Sequence, residues 1–306
     1  MNYNFATINA FTNTQFQGAQ VLVFPEADGL NSLQMQQIAK EFNFSETVFC
    51  VKADLTKNQK KFRLFTVEKE IPFAGHPTIA AAFFLAQNNV LVTQDGINEF
   101  TIEEQIGEVI IRCHKKYDSI VLTEFIVDVS THLDSYVPTN KELAQILNIE
   151  SSDIGCMGFM PTVVTGDDAY LMVPMKNYEK LLKASFSSST WIKLPSTTTI
   201  KANLFLFSPA EKISNNQFNA RLLGENIANE DDPPIGSVVP LFASFLQKQN
   251  DWQYSEFIIQ RGVGRGRLST INVDMGIHSN SGTSVRVGGK CVVMSQGQLQ
   301  IGNKHE

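Results

Sequence analysis

Residues 72–86 read Pro72-Phe73-Ala74-Gly75-His76-Pro77 and continue as Thr78-Ile79-Ala80-Ala81-Ala82-Phe83-Phe84-Leu85-Ala86. The second part is small or apolar around the full circumference of a helix, so such a helix must be buried on every side. Proline is favoured at the first helical position, where its missing N–H would have no partner. The stretch therefore predicts a helix with Pro77 at its first position and His76 as its N-cap, in which residues 78–86 are buried on every side.

A second stretch of the same kind lies in the other half of the chain. Gly236-Ser237 precede a run that is apolar nearly all round, from Val238 to Leu246. Ser237 takes the N-cap position that His76 holds in the first half. Because 161 residues, about half of the chain, separate Gly75 from Gly236, we predict that the chain is a duplicated unit.

Shorter patterns around the two apolar helices extend the repeat. In the first half, the pattern of apolar residues predicts strands at 5–11, 21–24, 47–51 and 61–65, and a helix at 33–42 with one apolar face. In the second half, the capping box Thr139-Asn140-Lys141-Glu142 predicts a helix that we match to residues 33–42. Leu204-Phe205-Leu206-Phe207 is matched to the strand at 47–51.

These patterns predict a mixed α/β (α+β) fold of two pseudo-symmetric domains. Each domain would wrap its strands around one buried helix, with the active-site cleft between the two domains. We place the domains at residues 1–124 and 125–306, and allow for the last ~15 residues to return to the first domain.

Composition restricts the function. The chain has 306 residues, 25 basic and 31 acidic, for a net charge of −6, whereas sequence-independent nucleic-acid binders carry a positive balance. No apolar run reaches the ~20 residues needed to span a bilayer, and the first residues lack the features of a secretory signal. We therefore expect a cytoplasmic protein that binds neither nucleic acid nor membranes. Its cysteines are far apart, without the spacing of metal ligands, so no metal is expected; they are Cys50, Cys113, Cys156 and Cys291.

The starts of the two apolar helices are the candidate binding points. A helix N-terminus presents unpaired N–H groups and a partial positive charge, which suit the carboxylate of a small anionic substrate. The polar residues that could carry chemistry near these points are Glu46, His76, Asp232 and Ser237. None of them is specific when taken alone, because Ser or Asp before a helix is more often a cap, and Glu beside a strand more often a surface residue, than a catalyst.

Several segments resemble the PhzF-like family of phenazine biosynthesis proteins. The segments are Phe44-Ser45-Glu46-Thr47-Val48-Phe49, Arg63-Leu64-Phe65-Thr66, residues 72–78, residues 230–237, Arg267-Leu268-Ser269 and Val285-Arg286-Val287-Gly288-Gly289. They occur in the family's order between about residues 5 and 301. The resemblance implies the diaminopimelate epimerase-like fold, a homodimer and an isomerase that uses no cofactor.

The resemblance also implies roles for the candidate residues. Glu46 would be the general acid/base that moves a proton between carbon atoms, and burial in an apolar cleft would raise its pKa towards the working pH. His76, Asp232 and Ser237 would bind the substrate or relay protons. The N–H groups near Gly75 and Gly236 would hold its carboxylate.

Departures from the family pattern leave alternatives open. The thiol epimerases of this fold carry Cys where this chain has Ala74 and Ile235, so a two-thiol mechanism is not expected. Ala19, Ile235 and Arg261 replace residues that are polar, polar and acidic in the family, which leaves the substrate open. Two other interpretations stay open: an epimerase of amino or hydroxy acids that uses Glu46 and His76, and a non-catalytic binding protein.

A glycine-rich segment, Gly262-Val263-Gly264-Arg265-Gly266, superficially suggests nucleotide binding. The residues that follow it have the pattern of a strand, whereas a dinucleotide fold requires a helix at that point. We therefore predict a hairpin, whose arginines could help to attract an anionic substrate.

Overall fold

The computed structural model describes residues 1–55, 59–134, 136–166, 168–194, 202–210, 216–224, 235–249, 252–264, 266–279 and 282–302. The chain divides into two compact units, Met1–Val127 with Arg286–Glu306, and Asp128–Val285. The sequence placed the boundary a few residues earlier, after residue 124. The end of the chain belongs to the first unit from Arg286 onwards.

The first unit begins with strands and contains the first apolar helix. Its elements are β1 (Asn2–Ala10), β2 (Ala19–Phe24), α1 (Ser32–Phe42), β3 (Thr47–Val51), β4 (Lys60–Phe65), β5 (Glu70–Ile71), α2 (Gly75–Gln87), β6 (Gly96–Glu104), β7 (Gly107–Lys116) and β8 (Ser119–Val129), whose end crosses the boundary.

The second unit contains the second apolar helix, and the chain then returns. The elements are β9 (His132–Asp134), α3 (Asn140–Leu147), a 3-10 turn (Ser151–Asp153), β10 (Thr162–Thr165), β11 (Ala169–Pro174), α4 (Tyr178–Lys183), α5 (Ser188–Lys193), β12 (Asn203–Pro209), β13 (Gln217–Leu223), α6 (Val239–Gln247), β14 (Glu256–Arg261) and β15 (Ser269–Ser279), followed by β16 (Gly282–Gly289) and β17 (Cys291–Gln300).

Strand pairing in the first unit surrounds α2. β1 and β2 are antiparallel, β2 and β3 parallel, β3 and β4 antiparallel, β4 and β6 parallel, and β6 and β7 antiparallel. β8 pairs with β7 and β16, and β17 pairs antiparallel with β1. A single residue, Lys290, separates β16 from β17. The strands thus form a closed series, and α2 contacts β1, β2, β3, β7 and β17.

The second unit repeats this order of pairings. β10 and β11 are antiparallel, β11 and β12 parallel, β12 and β13 antiparallel, β13 and β14 parallel, and β14 and β15 antiparallel. In each unit an apolar helix, α2 or α6, lies in the second parallel crossover. The predicted duplicated α/β architecture is therefore confirmed.

One element of the predicted repeat was matched wrongly. The capping box at Thr139 is formed, with Glu142 completing it. However, α3 precedes β10, whereas α1 lies in the crossover between β2 and β3, whose counterpart holds α4 and α5. A capping box specifies that a helix starts, but carries no information about which crossover the helix occupies.

The first apolar helix starts earlier than expected. Every residue from Gly75 to Ala86 is buried, which confirms the burial predicted for residues 78–86. The N-cap is Ala74, however, and not His76, because the Thr78 N–H donates to the Ala74 carbonyl (3.3 Å) and closes the first turn there. Pro77 fits inside this turn, where an N–H has no intrahelical partner.

The second apolar helix starts later than expected. α6 begins at Val239 with Val238 as its N-cap, so the N-cap assignment of Ser237 was wrong as well. Ser237 lies in the preceding turn, and the second helical residue is Pro240. Proline suits that position because it has no N–H to leave unpaired.

Phenylalanine rings fill the interior of both units. In the first unit the rings in contact are Phe5, Phe24, Phe42, Phe49 and Phe65. In the second unit they are Phe205, Phe207, Phe218, Phe242, Phe245 and Phe257.

Within the described ranges, no helix is long and apolar enough to cross a membrane.

A buried arginine links strand and helix in the second unit. Arg221 on β13 is 5 % exposed, and its Nη1 donates to the carbonyls of Leu181 (2.8 Å), Leu182 (3.2 Å) and Ala184 (2.9 Å). These carbonyls end α4, where the last turn has no intrahelical donors. The arginine therefore caps α4 from the sheet.

Enlarging a side chain of α2 should destabilise the first unit. Ala81 is fully buried, so we expect Ala81→Leu to lower the free energy of unfolding by about 1–3 kcal/mol through overpacking. The control Gln37→Leu, at an exposed position of α1, should change it by less than about 0.5 kcal/mol. Urea titrations followed by circular dichroism measure both values, and equal values would contradict a helix packed on every side.

Removing the guanidinium of Arg221 should leave the end of α4 uncapped. We expect Arg221→Met to lower the free energy of unfolding by about 1–3 kcal/mol, because buried carbonyls lose their donor. Arg112→Met is the control, since Arg112 pairs with Glu99 at the surface and such pairs contribute about 0–1 kcal/mol. If Arg221→Met were as stable as this control, Arg221 would not act as the cap of α4.

Candidate active site

Glu46 and His76 meet at the start of α2. Glu46 Oε2 lies 2.8 Å from His76 Nε2. The side chain of His76 is 4 % exposed and that of Glu46 is 16 % exposed. The structure thus brings together two of the predicted site residues, one nearly enclosed and the other still open to solvent.

Local structure explains how Glu46 reaches this position. Asn43 is the C-cap of α1; its positive φ of 55° is tolerated by asparagine, and its N–H donates to the Ala39 carbonyl. The chain reverses there, and Glu46 directly precedes β3. The Leu22 N–H donates to the Glu46 carbonyl (3.3 Å), which ties this residue to β2. The side chain is therefore carried on backbone that both flanking elements hold.

The first turn of α2 offers backbone donors beside this pair. Gly75 and His76 are its first two residues, and Ala74 makes no side-chain cap hydrogen bond. The N–H groups of a first turn lack intrahelical partners and carry a partial positive charge. This turn can therefore accept a carboxylate next to the Glu46–His76 pair.

A third polar residue on α2 contacts a second carboxyl group. Thr78 Oγ1 lies 2.6 Å from Glu104 Oε1 and 2.9 Å from the Ala74 carbonyl. Glu104 ends β6 and is 6 % exposed. Burial raises the pKa of Glu104 to about 8, and its hydrogen bond with Thr78 offsets only part of that rise.

Glu104 and Thr78 were not among the predicted site residues. A signal for Glu104 exists, because Glu103 and Glu104 are adjacent in a strand and adjacent strand residues point to opposite faces. The carboxyl groups of Glu103 and Glu104 must therefore lie on opposite faces of the sheet. Glu103 accepts hydrogen bonds from the Asp54 and Leu55 N–H groups.

Another histidine–glutamate pair in the first unit has a different environment. His114 Nε2 lies 2.6 Å from Glu124 Oε2, and Arg286 Nε lies 3.2 Å from Glu124 Oε1. A Cβ on Gly288 would lie 2.5 Å from the Glu124 side chain, so the glycine makes room for it. The arginine, on β16, and Glu124, on β8, connect the returning strand to the sheet. This cluster therefore has a structural role.

Gly236 and Ser237, two of the predicted residues of the second unit, lie just before α6. Gly236 is buried and Ser237 is exposed. Ser237 lies near the Tyr170 side chain. Burial raises the pKa of Tyr170, and Ser237 acts to lower it. Asp232 lies outside the described residues. The sequence did not single out Tyr170.

The three positions that depart from the family pattern are all buried. Ala19 is 3 % exposed and pairs with Ala10, Ile235 is 1 % exposed and Arg261 is 4 % exposed. Arg261 pairs with Ser269 across antiparallel β14 and β15. A strand thus follows the glycine-rich segment, which confirms the predicted hairpin in the part of it that the structure describes.

No metal-binding group is found within the described ranges. No set of three or more His, Cys, Asp or Glu side chains there is placed to hold an ion. Burial raises the pKa of the Cys113 and Cys156 thiols to about 12, so these thiols are poor nucleophiles.

Comparison with known proteins places the chain in a family. The PhzC-PhzF model, described as phenazine biosynthesis-like protein, matches residues 8–297. An uncharacterized isomerase of Pasteurella multocida is 31 % identical over 98 % of this chain and 94 % of its own length. The trans-2,3-dihydro-3-hydroxyanthranilate isomerase of Pseudomonas fluorescens is 39 % identical over 35 % of this chain and 40 % of its own length.

The solved structures agree with this placement at the level of the fold. A phenazine biosynthesis protein of the PhzF family from Bacillus anthracis superimposes with a TM-score of 0.85 at 18 % identity, over 98 % of this chain and 100 % of that one. The family model spans both units and the returning strand. The chain therefore belongs to the phenazine biosynthesis-like (PhzC-PhzF) protein family.

Proposed function

We propose that this chain, whose family includes named isomerases, moves a proton between carbon atoms of a small carboxylate substrate, with Glu46 as the general acid/base. The observation that supports this proposal is the 2.8 Å contact between Glu46 and His76 at the first turn of α2. It combines a proton carrier, a titratable partner and backbone N–H donors in one place.

The proposed reaction requires no oxidation or reduction. The Glu46 carboxylate accepts a proton as one C–H bond breaks, and the electron pair moves into the conjugated system of the substrate. The same carboxyl group then returns the proton to another carbon atom, so one C–H bond is lost and one is formed. His76 orients the carboxyl group and adjusts its hydrogen bond as the proton arrives and leaves.

A carboxylate on the substrate would anchor the molecule and assist the chemistry. The N–H groups near Gly75 can hold it through the partial charge of the helix. The named substrate of the Pseudomonas relative is itself an anthranilate derivative, and this supports a carboxylate as the substrate class. In the second unit we assign substrate binding or proton relay to Ser237 and Asp232, and carboxylate binding to the N–H groups near Gly236. A cytoplasmic location and a homodimer stay predictions.

Proton exchange with solvent tests the catalytic role of Glu46. A panel of small unsaturated, hydroxy and amino carboxylic acids is incubated with the protein in deuterated water, and ¹H NMR reports deuterium at carbon. We expect Glu46→Gln to slow exchange about 10²–10⁴-fold, the usual contribution of general acid/base catalysis. The control Glu41→Gln, an exposed position on α1, should exchange at the rate of the unmodified protein.

The position of the label distinguishes the remaining alternatives. Deuterium at a new carbon atom together with a shifted double bond supports the proposed isomerase. Deuterium at an inverted stereocentre identifies an epimerase instead. Saturable binding of panel members without exchange by the unmodified protein, or unchanged exchange by Glu46→Gln, would refute the proposal.

A further inference from the structure

We infer that Glu104 is a positioning residue that, as a neutral acid, holds the first turn of α2 in place through Thr78. This inference goes beyond the proposed function and rests on it in one respect, since that turn carries His76. Nothing in the family comparison assigns a role to Glu104, and Glu104 contacts neither Glu46 nor His76 in any described hydrogen bond.

Hydrogen-bond geometry indicates the direction of the link. Thr78 Oγ1 lies within hydrogen-bond distance of both the Ala74 carbonyl (2.9 Å) and Glu104 Oε1 (2.6 Å). A hydroxyl group has one proton to donate, and a carbonyl can only accept. Both contacts are satisfied if Glu104 is protonated: its O–H donates to Thr78 Oγ1, and the Thr78 O–H donates to Ala74.

The surroundings of the second carboxyl oxygen also favour the neutral form. Glu104 Oε2 is buried and has no hydrogen-bond partner among the described residues. A carboxylate would leave part of a full charge in this unsolvated position, which costs far more than an under-satisfied carbonyl oxygen. The pKa of about 8 that burial gives to Glu104 agrees with a group that is neutral at pH 7.

The groups around Glu104 provide little opposite charge. The Cys50 thiol on β3 is close enough for Glu104 to raise its pKa, so it is an uncharged neighbour. Lys60 on β4 acts on Cys50, but desolvation and the Thr78 hydrogen bond account for the shift of Glu104. Glu103 accepts from the Asp54 and Leu55 N–H groups.

The link matters because of where it is attached. Ala74 and Thr78 bracket the first turn of α2, which contains Gly75 and His76. No side chain caps Ala74 there, so the Glu104–Thr78–Ala74 chain is a described side-chain connection between this turn and the sheet. Loss of the Glu104 proton would remove one donor from the chain. The single O–H of Thr78 would then face two acceptors, the Ala74 carbonyl and the Glu104 carboxylate. The position of His76 relative to Glu46 should respond.

The test follows the ring of His76 and needs no substrate. Spectra of the ¹³C/¹⁵N-labelled full chain are recorded between pH 5.5 and 9.5, with His76→Asn to assign the ring signals. We expect an inflection of the His76 signals near pH 8 that disappears in Glu104→Gln, because the amide donates to Thr78 at every pH. In Thr78→Val the inflection should disappear too, whereas Thr78→Ser should restore it.

Unfolding measured over the same pH range provides a second readout. The pKa of Glu104 is raised from 4.5 to about 8, so the folded state binds the proton more tightly than the unfolded state. Its stabilising contribution is present below pH 4.5 and is lost as the pH rises through about 8. Glu104→Gln should therefore show a weaker loss of thermal stability between pH 5 and 8 than the unmodified protein.

Glu103→Gln is the matched control, one residue away on the same strand. It should lower stability through its bonds to Asp54 and Leu55 while leaving the His76 inflection in place. An inflection near pH 8 that persists in Glu104→Gln, or none in the unmodified protein, would overturn the inference. If exchange activity is found, Glu104→Gln should retain it above pH 8. Absence of all exchange would count against the proposed function alone, because the His76 ring signals report on the role of Glu104 without any substrate.

Discussion

The burial of α2 on every side imposes the main constraint on the first unit. A helix without a solvent face has to be surrounded, and the closed series of strands from β1 to β17 does so. It also has to satisfy each polar side chain that it carries into the interior. His76 and Thr78 are such residues, and a carboxyl group meets each of them: Glu46 from the start of β3 and Glu104 from the end of β6. The candidate site is thus where the packing of an apolar helix admits polar groups.

The second unit satisfies the same packing constraint with different polar chemistry. Its strands pair in the same parallel and antiparallel order, and α6 occupies the same crossover as α2. At the start of α6, however, the polar residues near each other are Ser237, which is exposed, and Tyr170. The two units thus share the order of their backbone pairings but differ in the polar residues at the helix starts.

Patterns of local origin were predictable from the sequence. The strand at 47–51, the capping box at Thr139 and the burial of α2 each depend on residues within a single element. The first turn of α2 was placed wrongly because proline is compatible with several positions in a first turn. The match of α3 to α1 was also wrong, since a capping box shows where a helix starts but not which crossover the helix occupies. Glu104 was missed because its partner, Thr78, is distant in sequence and becomes adjacent only when β6 lies beside α2.

The two histidine–glutamate pairs of the first unit show why distance alone does not define a site. Both pairs are within hydrogen-bond range, at 2.8 Å for Glu46–His76 and 2.6 Å for Glu124–His114. Glu124 also contacts Arg286, a side chain that never gives up its proton. The contact between Glu124 and Arg286 joins two strands, whereas His76 lies in a helix turn with backbone donors beside it. A proton carrier needs a partner whose hydrogen bond can change during the reaction, and this requirement is why we propose Glu46–His76, rather than Glu124–His114, as the catalytic pair.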